Sequence, residues 1–529
     1  MTRPAMKRRT FLAAGAATLA APHLATAAPK VLKFIPEGDL SMLDPVWTTA
    51  TNARNHGYLV FDTLWGQDDT YAMQPQMVAG HVVENDGKEW TITLREGLKF
   101  HDNEPVCARD AVASIRRFSA RDAFGQALMA VTDELAAVDD RSFRFRLKKP
   151  FPLLPNVLGK TGTPMPCIMP ERLALLDPNK QITEMVGSGP FRFLTDEHVS
   201  GSRVAYARFE DYVPRADGPA TFTAGPKRAW FDRVEWTIIP DAQTAANAMS
   251  NGEMDWWQQP TVDLLGQMTK GGKLLSAIID PAGGIGVMRF NFLFPPFDNP
   301  AIRRALLGAI DQSDCMIAAT GDDRTYWKDR VGVFSPGTPM ATEAGIEVMA
   351  RPRDLPRVKR ELEAAGYKGE RLVLLGASDY PQTNALALVC ADVLKRVGMN
   401  VDFQEVDWGT TVQRRVSKSP PDKGGWNVFF TQLNGTNNFD PAGQLGIRGN
   451  GAGAWFGWPE MPKLEALRDA WFEAPDLAAQ KRICEQIQLQ FWQDVPYIPL
   501  GCIYFPMVWR KGLAGMRIGF PQFYDLHWA

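Results

Sequence analysis

The chain has 529 residues, of which 45% are hydrophobic and 22% are charged, and its formal net charge is −2. This length is too great for one simple core, so we expect two or three lobes. The nearly neutral charge gives no reason to expect a nucleic acid or an anionic membrane as a partner. The six cysteines are scattered without a C-x-x-C pair, which argues against a metal or redox motif, while one disulfide stays open.

The first residues are typical of an export signal. Residues 7–12, KRRTFL, lead into an apolar run at 13–21, and Ala25 and Ala27 form an A-x-A cleavage site. The paired arginines indicate the twin-arginine route, with cleavage after Ala27. No later apolar run is long enough to span a bilayer. We therefore predict a soluble, periplasmic protein, with a buried N-terminal helix as the alternative.

Residues 31–35 alternate as a first strand, and a clearer unit follows at 90–118, WTITLREGLKFHDNEPVCARDAVASIRRF. Its apolar residues between 90 and 94 alternate with polar ones, which predicts a half-buried strand. Residues 102–103, Asp-Asn, predict a turn. Helical spacing of the apolar residues starts at residue 108, so the unit is a strand, a turn and a helix.

Within this unit, residues 94–110 resemble the signature of the family 5 extracytoplasmic solute-binding proteins. These are the peptide- and nickel-type receptors of ABC importers, and their usual pattern is close to F-x-L-R-x-G-L-K-F-H-D-G-x-P-V-T-A-x-D-V. Asn103 replaces the turn glycine, which asparagine can do because it visits the left-handed region. Cys107 replaces the threonine that would cap the helix, so we expect a weaker cap. We expect His101 to be structural rather than a ligand.

Shorter matches to the same family occur along nearly all of the mature chain. They are SMLDP at 41–45, VGSGPF at 186–191, GEMD at 252–255, MRFNF at 288–292 and DVPYIPL at 494–500. The resemblance implies the α/β class and a two-lobed periplasmic binding protein fold of the large, three-subdomain type, with a hinge of two crossings. After a signal peptide at 1–27, it implies lobe I at 28–69, 187–287 and 496–529, an inserted subdomain at 70–186, and lobe II at 288–495.

Between residues 354 and 440, patterning alone predicts strands that alternate with helices. The helices are at 354–365 and 384–397, each ended by a glycine, and the strands are at 372–375, 401–406 and 427–432. This alternation implies a parallel sheet covered on both faces. In such sheets ligands bind beyond the carboxyl ends of the strands, which points to the loops at 407–409 and 434–440.

Candidate ligand-binding residues follow from these loops and from the resemblance. From lobe II they are Trp408, Gln432, Asn434, Asn437, Asn438 and Asp440. The family loop after residue 45 borders the ligand cleft, which adds Thr48 and Thr49, and Trp257 is a third candidate from lobe I. Aromatic and amide side chains can enclose an amphiphilic solute while bonding its polar groups.

One departure from the family pattern bears on the solute. Peptide-binding members usually carry an aspartate after the last of these strands, and it pairs with the peptide amine. In this chain the position falls on Thr436 or Asn437, which are neutral. A buried ammonium needs a counter-charge. Either Asp440 or Asp407 therefore takes over, or the solute has no free amine.

The resemblance implies a monomeric receptor that delivers a short peptide to the permease of an ABC importer, with no cofactor and no catalysis. An opine-like conjugate, an oligosaccharide and a chelated metal stay open as solutes. The histidines after the predicted signal are isolated from one another, which argues against direct metal binding.

A periplasmic peptide hydrolase is a second hypothesis, but H-E-x-x-H, G-x-S-x-G and S-x-x-K motifs are absent. A chaperone or sensory role is a third. The sequence leaves the solute and the permease partner open.

Overall fold

The computed structural model of the chain describes residues 29–350 and 352–529, so the predicted signal peptide lies outside the described residues. The described chain forms two lobes, each built on one large sheet, and a smaller sheet is inserted in the first lobe. The first-lobe sheet runs in the spatial order Leu274–Ile278, Pro506–Arg510, Trp256–Trp257, Val31–Ile35, Arg233–Thr237, Arg203–Arg208 and Phe191–Phe193. The second-lobe sheet runs in the order Trp327–Lys328, Tyr497–Ile503, Gly284–Phe290, Val428–Asn434, Arg371–Ala377 and Asn400–Val406.

The inserted sheet is antiparallel and lies within the range predicted for the inserted subdomain. Its order is Val78–Glu84, Glu89–Leu94, Ser142–Leu147 and Thr132–Ala137. Two short ribbons pair Trp65–Gln67 with Met73–Pro75, and Leu513–Ala514 with His527–Trp528. The α-helices of the described residues are Thr51–Val60, Ala108–Arg121, Ala123–Val131, Leu154–Leu158, Glu171–Ala174, Ala242–Asn251, Val262–Thr269, Pro300–Leu306, Gln312–Thr320, Glu347–Ala350, Leu355–Ala364, Pro381–Arg396, Trp408–Arg415, Pro462–Phe472 and Leu477–Asp494.

The strand, turn and helix predicted for residues 90–118 are confirmed. The apolar positions of Glu89–Leu94 are buried, and Asn103 has a φ of 70°, in the left-handed region. The helix begins at Ala108. The Asp110 carboxylate accepts a hydrogen bond of 2.8 Å from the Cys107 backbone N–H. A side chain of the first helical turn therefore bonds the residue that precedes the helix.

The second-lobe sheet is mixed, and the prediction of a parallel sheet is only half right. Arg371–Ala377 pairs in parallel with Asn400–Val406 and with Val428–Asn434. Gly284–Phe290, however, pairs antiparallel with Val428–Asn434 and with Tyr497–Ile503. The period of an apolar pattern reports that a strand is buried and carries no information on its direction.

The two crossings between the lobes lie a few residues from the predicted boundaries. Gly284–Phe290 and Tyr497–Ile503 both belong to the second-lobe sheet, so boundaries at 287/288 and 495/496 are wrong. The chain leaves the first-lobe sheet at Ile278 and returns to it at Pro506. The crossings are therefore residues 279–283 and 504–505, which connect the two large sheets.

His101 joins the signature turn to the loop at 186–191. Its Nε2 lies 3.0 Å from the Gly189 carbonyl oxygen, and the Gly187 N–H donates to Nδ1 at 3.2 Å. These two contacts fit a neutral imidazole, which donates at one nitrogen and accepts at the other. Burial lowers the pKa of His101 to about 4. The prediction of a structural histidine agrees with this geometry.

Acid is expected to destabilise the protein through His101. An unfolded histidine has an ordinary pKa near 6.5, so between about pH 6.5 and 4 the unfolded chain binds a proton that folded His101 does not. The free energy of unfolding should then fall as pH falls, by about 1.4 kcal/mol per pH unit from this group. Urea denaturation between pH 7 and 4 measures the slope.

The variant H101Q should weaken that slope, whatever its own stability at pH 7. The matched control is H81Q, which makes the same substitution at an exposed histidine. A slope that is equal in H101Q and in the wild type would contradict this role for His101.

Two further features of the structure concern its cysteines and its helices. All six cysteines are buried free thiols, so the disulfide that the sequence left open does not form among the described residues. Within residues 29–350 and 352–529, no helix is both long enough and apolar enough to cross a membrane.

Candidate functional site

A cavity of about 110 Å³ lies in the cleft between the lobes, beside the first crossing. Its first-lobe wall consists of Glu37, Thr51, Arg54, Gln258, Gln259, Met507, Phe520 and Pro521. The crossings contribute Asp280, Gly283 and Phe505, and the second lobe contributes Gly284, Tyr380, Gln432 and Asn434. Both lobes and the hinge therefore contribute residues to one cavity.

Arg54 is the cation of this cavity, and the helix Thr51–Val60 positions it one turn from its start. Its side chain is buried, and the residue is only 3% exposed. Its guanidinium carbon lies 4.0 Å from the centre of the Phe520 ring. Its Nη1 donates to the Thr436 hydroxyl at 2.9 Å, so a first-lobe arginine is bonded to a second-lobe loop.

Two carboxylates, Glu37 and Asp280, line the same cavity. Glu37 follows the strand Val31–Ile35 and accepts a hydrogen bond of 3.2 Å from Gln258 Nε2. Asp280 lies in the first crossing and accepts one of 3.0 Å from the Ala282 N–H. Enclosure by the cleft raises the pKa of both carboxyls, and the charge of Arg54 acts in the opposite direction. Burial in turn lowers the pKa of Arg54.

Amides and aromatic rings form the rest of the wall. Gln432 and Asn434 extend from the end of the strand Val428–Asn434, as predicted for residues beyond a carboxyl strand end. Tyr380 begins the turn into the helix Pro381–Arg396, and burial together with the charge on Glu37 raises the pKa of its phenol. A polar anchor set within aromatic walls is typical of a small-molecule site.

The other predicted residues of the second lobe lie around the cavity rather than in it. Asn438 is 1% exposed, and its Nδ2 donates to the Leu433 carbonyl oxygen at 3.2 Å, so it holds its own loop. Asn437 packs against Gly162 of the first lobe, and its Oδ1 is buried without a hydrogen-bond partner. Trp408 does not line the cavity, but its ring centre lies 5.7 Å from that of Tyr380, which does.

Asp440 lines a separate cavity of about 20 Å³ that it shares with Lys160 and Thr436. Its Oδ1 accepts hydrogen bonds of 2.9 Å from the N–H groups of Ala442 and Gly443. Burial raises the pKa of Asp440. This carboxylate therefore stabilises a turn and does not face the main cavity.

The predicted first-lobe residues do not line the cavity. Trp257 is buried in an apolar cluster with residues such as Met249 and Leu265, and the next two residues, Gln258 and Gln259, reach the cleft instead. The Thr48 hydroxyl accepts a hydrogen bond of 3.2 Å from the Ala50 N–H. Thr49 is exposed outside the cavity, because the helix that faces the cleft begins only at Thr51.

Sequence reasoning missed the charged residues of the cavity, Glu37, Arg54 and Asp280. One signal was available in the helix segment TNARNHGYLV, where four of five neighbouring residues, Asn52, Arg54, Asn55 and His56, are polar. All four are buried in the structure. Four buried polar residues on one helix are unusual unless their side chains have hydrogen-bond partners in the protein or in a ligand.

The lobes are in contact in this structure, so the cleft is closed. Besides the bond from Arg54 to Thr436, Tyr71 of the first lobe meets Phe439 of the second lobe, with ring centres 4.7 Å apart. Farther out, Phe124 of the inserted subdomain meets Phe472 of the second lobe at 5.5 Å. These contacts can exist only while the lobes are together.

A larger groove of about 590 Å³ lies elsewhere on the lobe border. It is lined by residues 69–71 and 337–342 together with Leu477, Lys481 and Glu485. Most of its wall comes from loops, and it holds no buried ionised side chain comparable to Arg54. The smaller cavity at the hinge is therefore the better candidate for a ligand site. Within residues 29–350 and 352–529, no cluster of His, Cys, Asp and Glu side chains is arranged to hold a metal ion.

Comparison with known proteins agrees with this architecture. Residues 72–454 match the profile of the bacterial extracellular solute-binding proteins, family 5 (middle region). The chain is 36% identical over 512 residues to the probable peptide ABC transporter periplasmic-binding protein y4tO of Sinorhizobium fredii, covering 96% of this chain and 95% of that protein.

Two solved structures share the fold. The periplasmic binding protein DppA of Helicobacter pylori, in complex with the peptide STSA, superposes with a TM-score of 0.77 at 20% identity, over 94% of this chain and 98% of that one. AgaA of A. tumefacien R10, in complex with agropinic acid, superposes with a TM-score of 0.75 at 19% identity, over 94% and 99%. At these identities the superpositions show the fold alone.

Proposed function

This chain belongs to the bacterial extracellular solute-binding proteins of family 5, the solute receptors of ABC importers, and from that premise we propose that it captures a short peptide or a similar amphiphilic solute between its lobes and delivers it to a membrane permease. The observation that carries the proposal is the cavity at the hinge. It combines a buried cation, two carboxylates, four amide side chains and aromatic walls. These groups complement a solute with charged ends and an apolar body.

The division of the wall between the lobes supports capture by closure. A ligand shifts the open and closed states only if it binds one of them more tightly. A solute in this cavity would contact Arg54 and Glu37 on one side and Gln432 and Asn434 on the other. It gains the second set of contacts only when the cleft closes.

The size of the closed cavity favours a compact solute. Drug-sized ligands occupy pockets of roughly 300–1,000 Å³, whereas this cavity holds about 110 Å³. A dipeptide or tripeptide suits this volume better than a long peptide. The S. fredii relative carries a peptide transporter name, which agrees with a peptide solute.

An opine-like conjugate is the second candidate. The observation that favours it is Arg54, whose charge lies against Thr436, where peptide-binding relatives place an acid. A cation there repels a peptide amine and attracts a carboxylate. The structural neighbour that holds agropinic acid shows that this fold accommodates such a molecule.

We propose that the chain works in the periplasm as a monomer, exported by the twin-arginine leader predicted at 1–27, and that it catalyses no reaction. Membership of a family of binding proteins supports the proposal that the chain is not an enzyme. Twin-arginine export would show as accumulation of the precursor when the translocase for folded proteins is blocked.

Thermal denaturation of the mature protein tests the solute class. The panel holds dipeptides to pentapeptides, their N-acetylated and C-amidated forms, opines and short oligosaccharides. A ligand at about 100 times its dissociation constant stabilises by about 2.7 kcal/mol, which raises the melting temperature measurably. We expect dipeptides and tripeptides or opines to shift it and pentapeptides to shift it less. A shift by oligosaccharides alone, or by no member of the panel, would contradict the proposal.

A further inference from the structure

Arg54 is a buried cation whose hydrogen-bond partners are all neutral, and the carboxylates Asp280 and Glu37 act on its charge only from beyond ion-pair distance. Its neutral partners are the Thr436 hydroxyl at 2.9 Å, the Asn55 Oδ1 at 3.3 Å and the face of the Phe520 ring. No carboxylate of the described chain lies within ion-pair distance of its guanidinium, although the residue is 97% buried. An unpaired buried charge is costly, so a residue that keeps one in a ligand cavity points to an anionic ligand group.

The hydrogen bonds around Arg54 fix the position of its guanidinium group. Asn434 Oδ1 lies 2.6 Å from the Thr436 hydroxyl oxygen, so that hydroxyl donates to Asn434 and accepts from Arg54. The chain of bonds Asn434, Thr436, Arg54 runs from one lobe to the other along the cavity wall. The planar guanidinium is thereby held beside the cavity, in the form that suits a carboxylate, which it can bind through two parallel hydrogen bonds.

The two carboxylates of the cavity are equally free of ion pairs. Glu37 receives a hydrogen bond from a neutral amide, and Asp280 receives one from the backbone. Neither forms an ion pair with any cation of the described residues, and the charge of Arg54 reaches both only at longer range. Glu37 is exposed and Asp280 is half-buried, and a cationic ligand group in this part of the cavity would be attracted by both carboxylates.

We infer that the solute is bound with its carboxylate on Arg54, beside the second-lobe residue Thr436, and with a cationic group near the carboxylates of Glu37 and Asp280. The inference rests on the proposed function and adds to it the charge pattern of the solute and its orientation. In place of the acid that the family pattern puts near Thr436, this arrangement uses one acid of the first lobe, Glu37, and one of the first crossing, Asp280.

Paired ligands test the inference on the unaltered protein. For each peptide that binds, the dissociation constant is measured by calorimetry for the free form, the C-terminal amide and the N-acetyl form. We expect the amide and the N-acetyl form each to bind about tenfold or more weakly, since a hydrogen bond to a charged group is lost in each case. Equal affinity of the free and amidated forms would overturn the assignment of Arg54.

Variants then locate the two groups. R54Q should bind the free and amidated peptides equally, R54K should keep part of the preference, and E37Q and D280N should bind the free and N-acetylated peptides more equally. The matched control R396Q removes an exposed arginine of another helix and should change none of these ratios. Ratios rather than absolute affinities are compared, so a partial loss of stability in a variant does not disguise the result.

The outcomes separate the inference from the function on which it rests. Binding of peptides or opines with no preference for a free carboxylate, or a preference that survives in R54Q, would overturn the inference and leave the proposed function standing. Binding of no panel member would overturn both. Tightest binding by a neutral oligosaccharide would also overturn both, because such a solute carries neither charge.

Discussion

Replacing Asp62 with alanine is expected to lower the free energy of unfolding by about 3–5 kcal/mol, the usual effect of breaking a buried ion pair. Asp62 Oδ1 lies 2.7 Å from Lys227 Nζ, and the two side chains are 1% and 0% exposed. The Tyr212 hydroxyl donates to the same carboxylate at 2.8 Å. The rings of Tyr58 and Tyr524 flank the ammonium. Removing the acid therefore leaves Lys227 charged in an apolar site.

A second variant separates loss of the pair from loss of packing. In D62L/K227M both charges are replaced by apolar side chains, and much of the lost stability should return, because no unpaired charge is left inside. The control is D392A, which breaks an exposed pair with Arg396 on one helix and should change stability by no more than about 0.5 kcal/mol. Urea denaturation at pH 7 measures all of these. A loss of less than 1 kcal/mol in D62A would contradict the role of the pair.

The pair also predicts a dependence on pH. Burial acts to raise the pKa of Asp62, but the charge and hydrogen bond of Lys227 outweigh it and hold the pKa below its ordinary value. A carboxyl with a depressed folded pKa stabilises the protein above its unfolded pKa of about 4, and that contribution is lost as pH falls further. This loss adds to the one expected from His101, which is already under way between about pH 6.5 and 4.

Local elements of this protein could be predicted from the sequence because their periods are clean. The helices at 354–365 and 384–397 and the three strands between 372 and 432 occur within a few residues of the predicted bounds. Asp354 caps its helix through a hydrogen bond to the Arg357 N–H, as its position before an apolar face suggests. The lobe boundaries could not be placed so well. Gly284–Phe290 is buried on both faces, and nothing in its composition says which sheet it joins.

Cavity residues at the ends of strands could be predicted from the sequence. Cavity residues that are brought there only by the tertiary structure were missed. Gln432 and Asn434 directly end a strand, so the rule for α/β sheets found them. Arg54, by contrast, lies on a helix, where a charged residue is normally solvent-exposed. Only the approach of Thr436 and Phe520 from distant parts of the chain makes Arg54 a cavity residue.

Asp440 was a candidate from the sequence, and the structure places it outside the cavity at the hinge. Its family position and its charge favoured it as a substitute amine anchor. The loop around it folds so that its Oδ1 bonds two backbone N–H groups of its own turn. Acid residues at strand ends often stabilise turns in this way, and the sequence does not distinguish that role from ligand binding.

Four aromatic residues form a contact between the lobes that we call the aromatic clasp: Phe124 and Phe151 of the inserted subdomain, and Trp471 and Phe472 of the second lobe. The Phe472 ring lies 5.5 Å from that of Phe124 and 6.4 Å from that of Phe151, with the second pair stacked. The ion pair of Lys149 with Glu473 lies beside it. None of its four residues lines the cavity at the hinge, so we expect the clasp to stabilise closure without touching the solute.

We expect F472A to weaken ligand affinity by roughly 30- to 150-fold, because removing a half-buried phenylalanine and its ring contacts costs about 2–3 kcal/mol, which falls on the closed state alone. Affinity measured for a closed complex decreases in proportion to the closed fraction. Calorimetry with the best ligand of the panel measures this change, and small-angle X-ray scattering of the complex should show a larger radius of gyration at subsaturating ligand.

The controls for the clasp exploit its distance from the cavity. F472L keeps most of the apolar volume and should lose less affinity than F472A, whereas L388A, on an exposed helix position, should lose none. The preference for free over amidated peptide should be the same in F472A as in the wild type, since the clasp acts on closure and not on recognition. If F472A binds with unaltered affinity, closure is held by the solute and the cavity wall, and the clasp is only a surface contact. If it loses the preference as well, the two lobes are coupled more tightly to recognition than the separation of clasp and cavity implies.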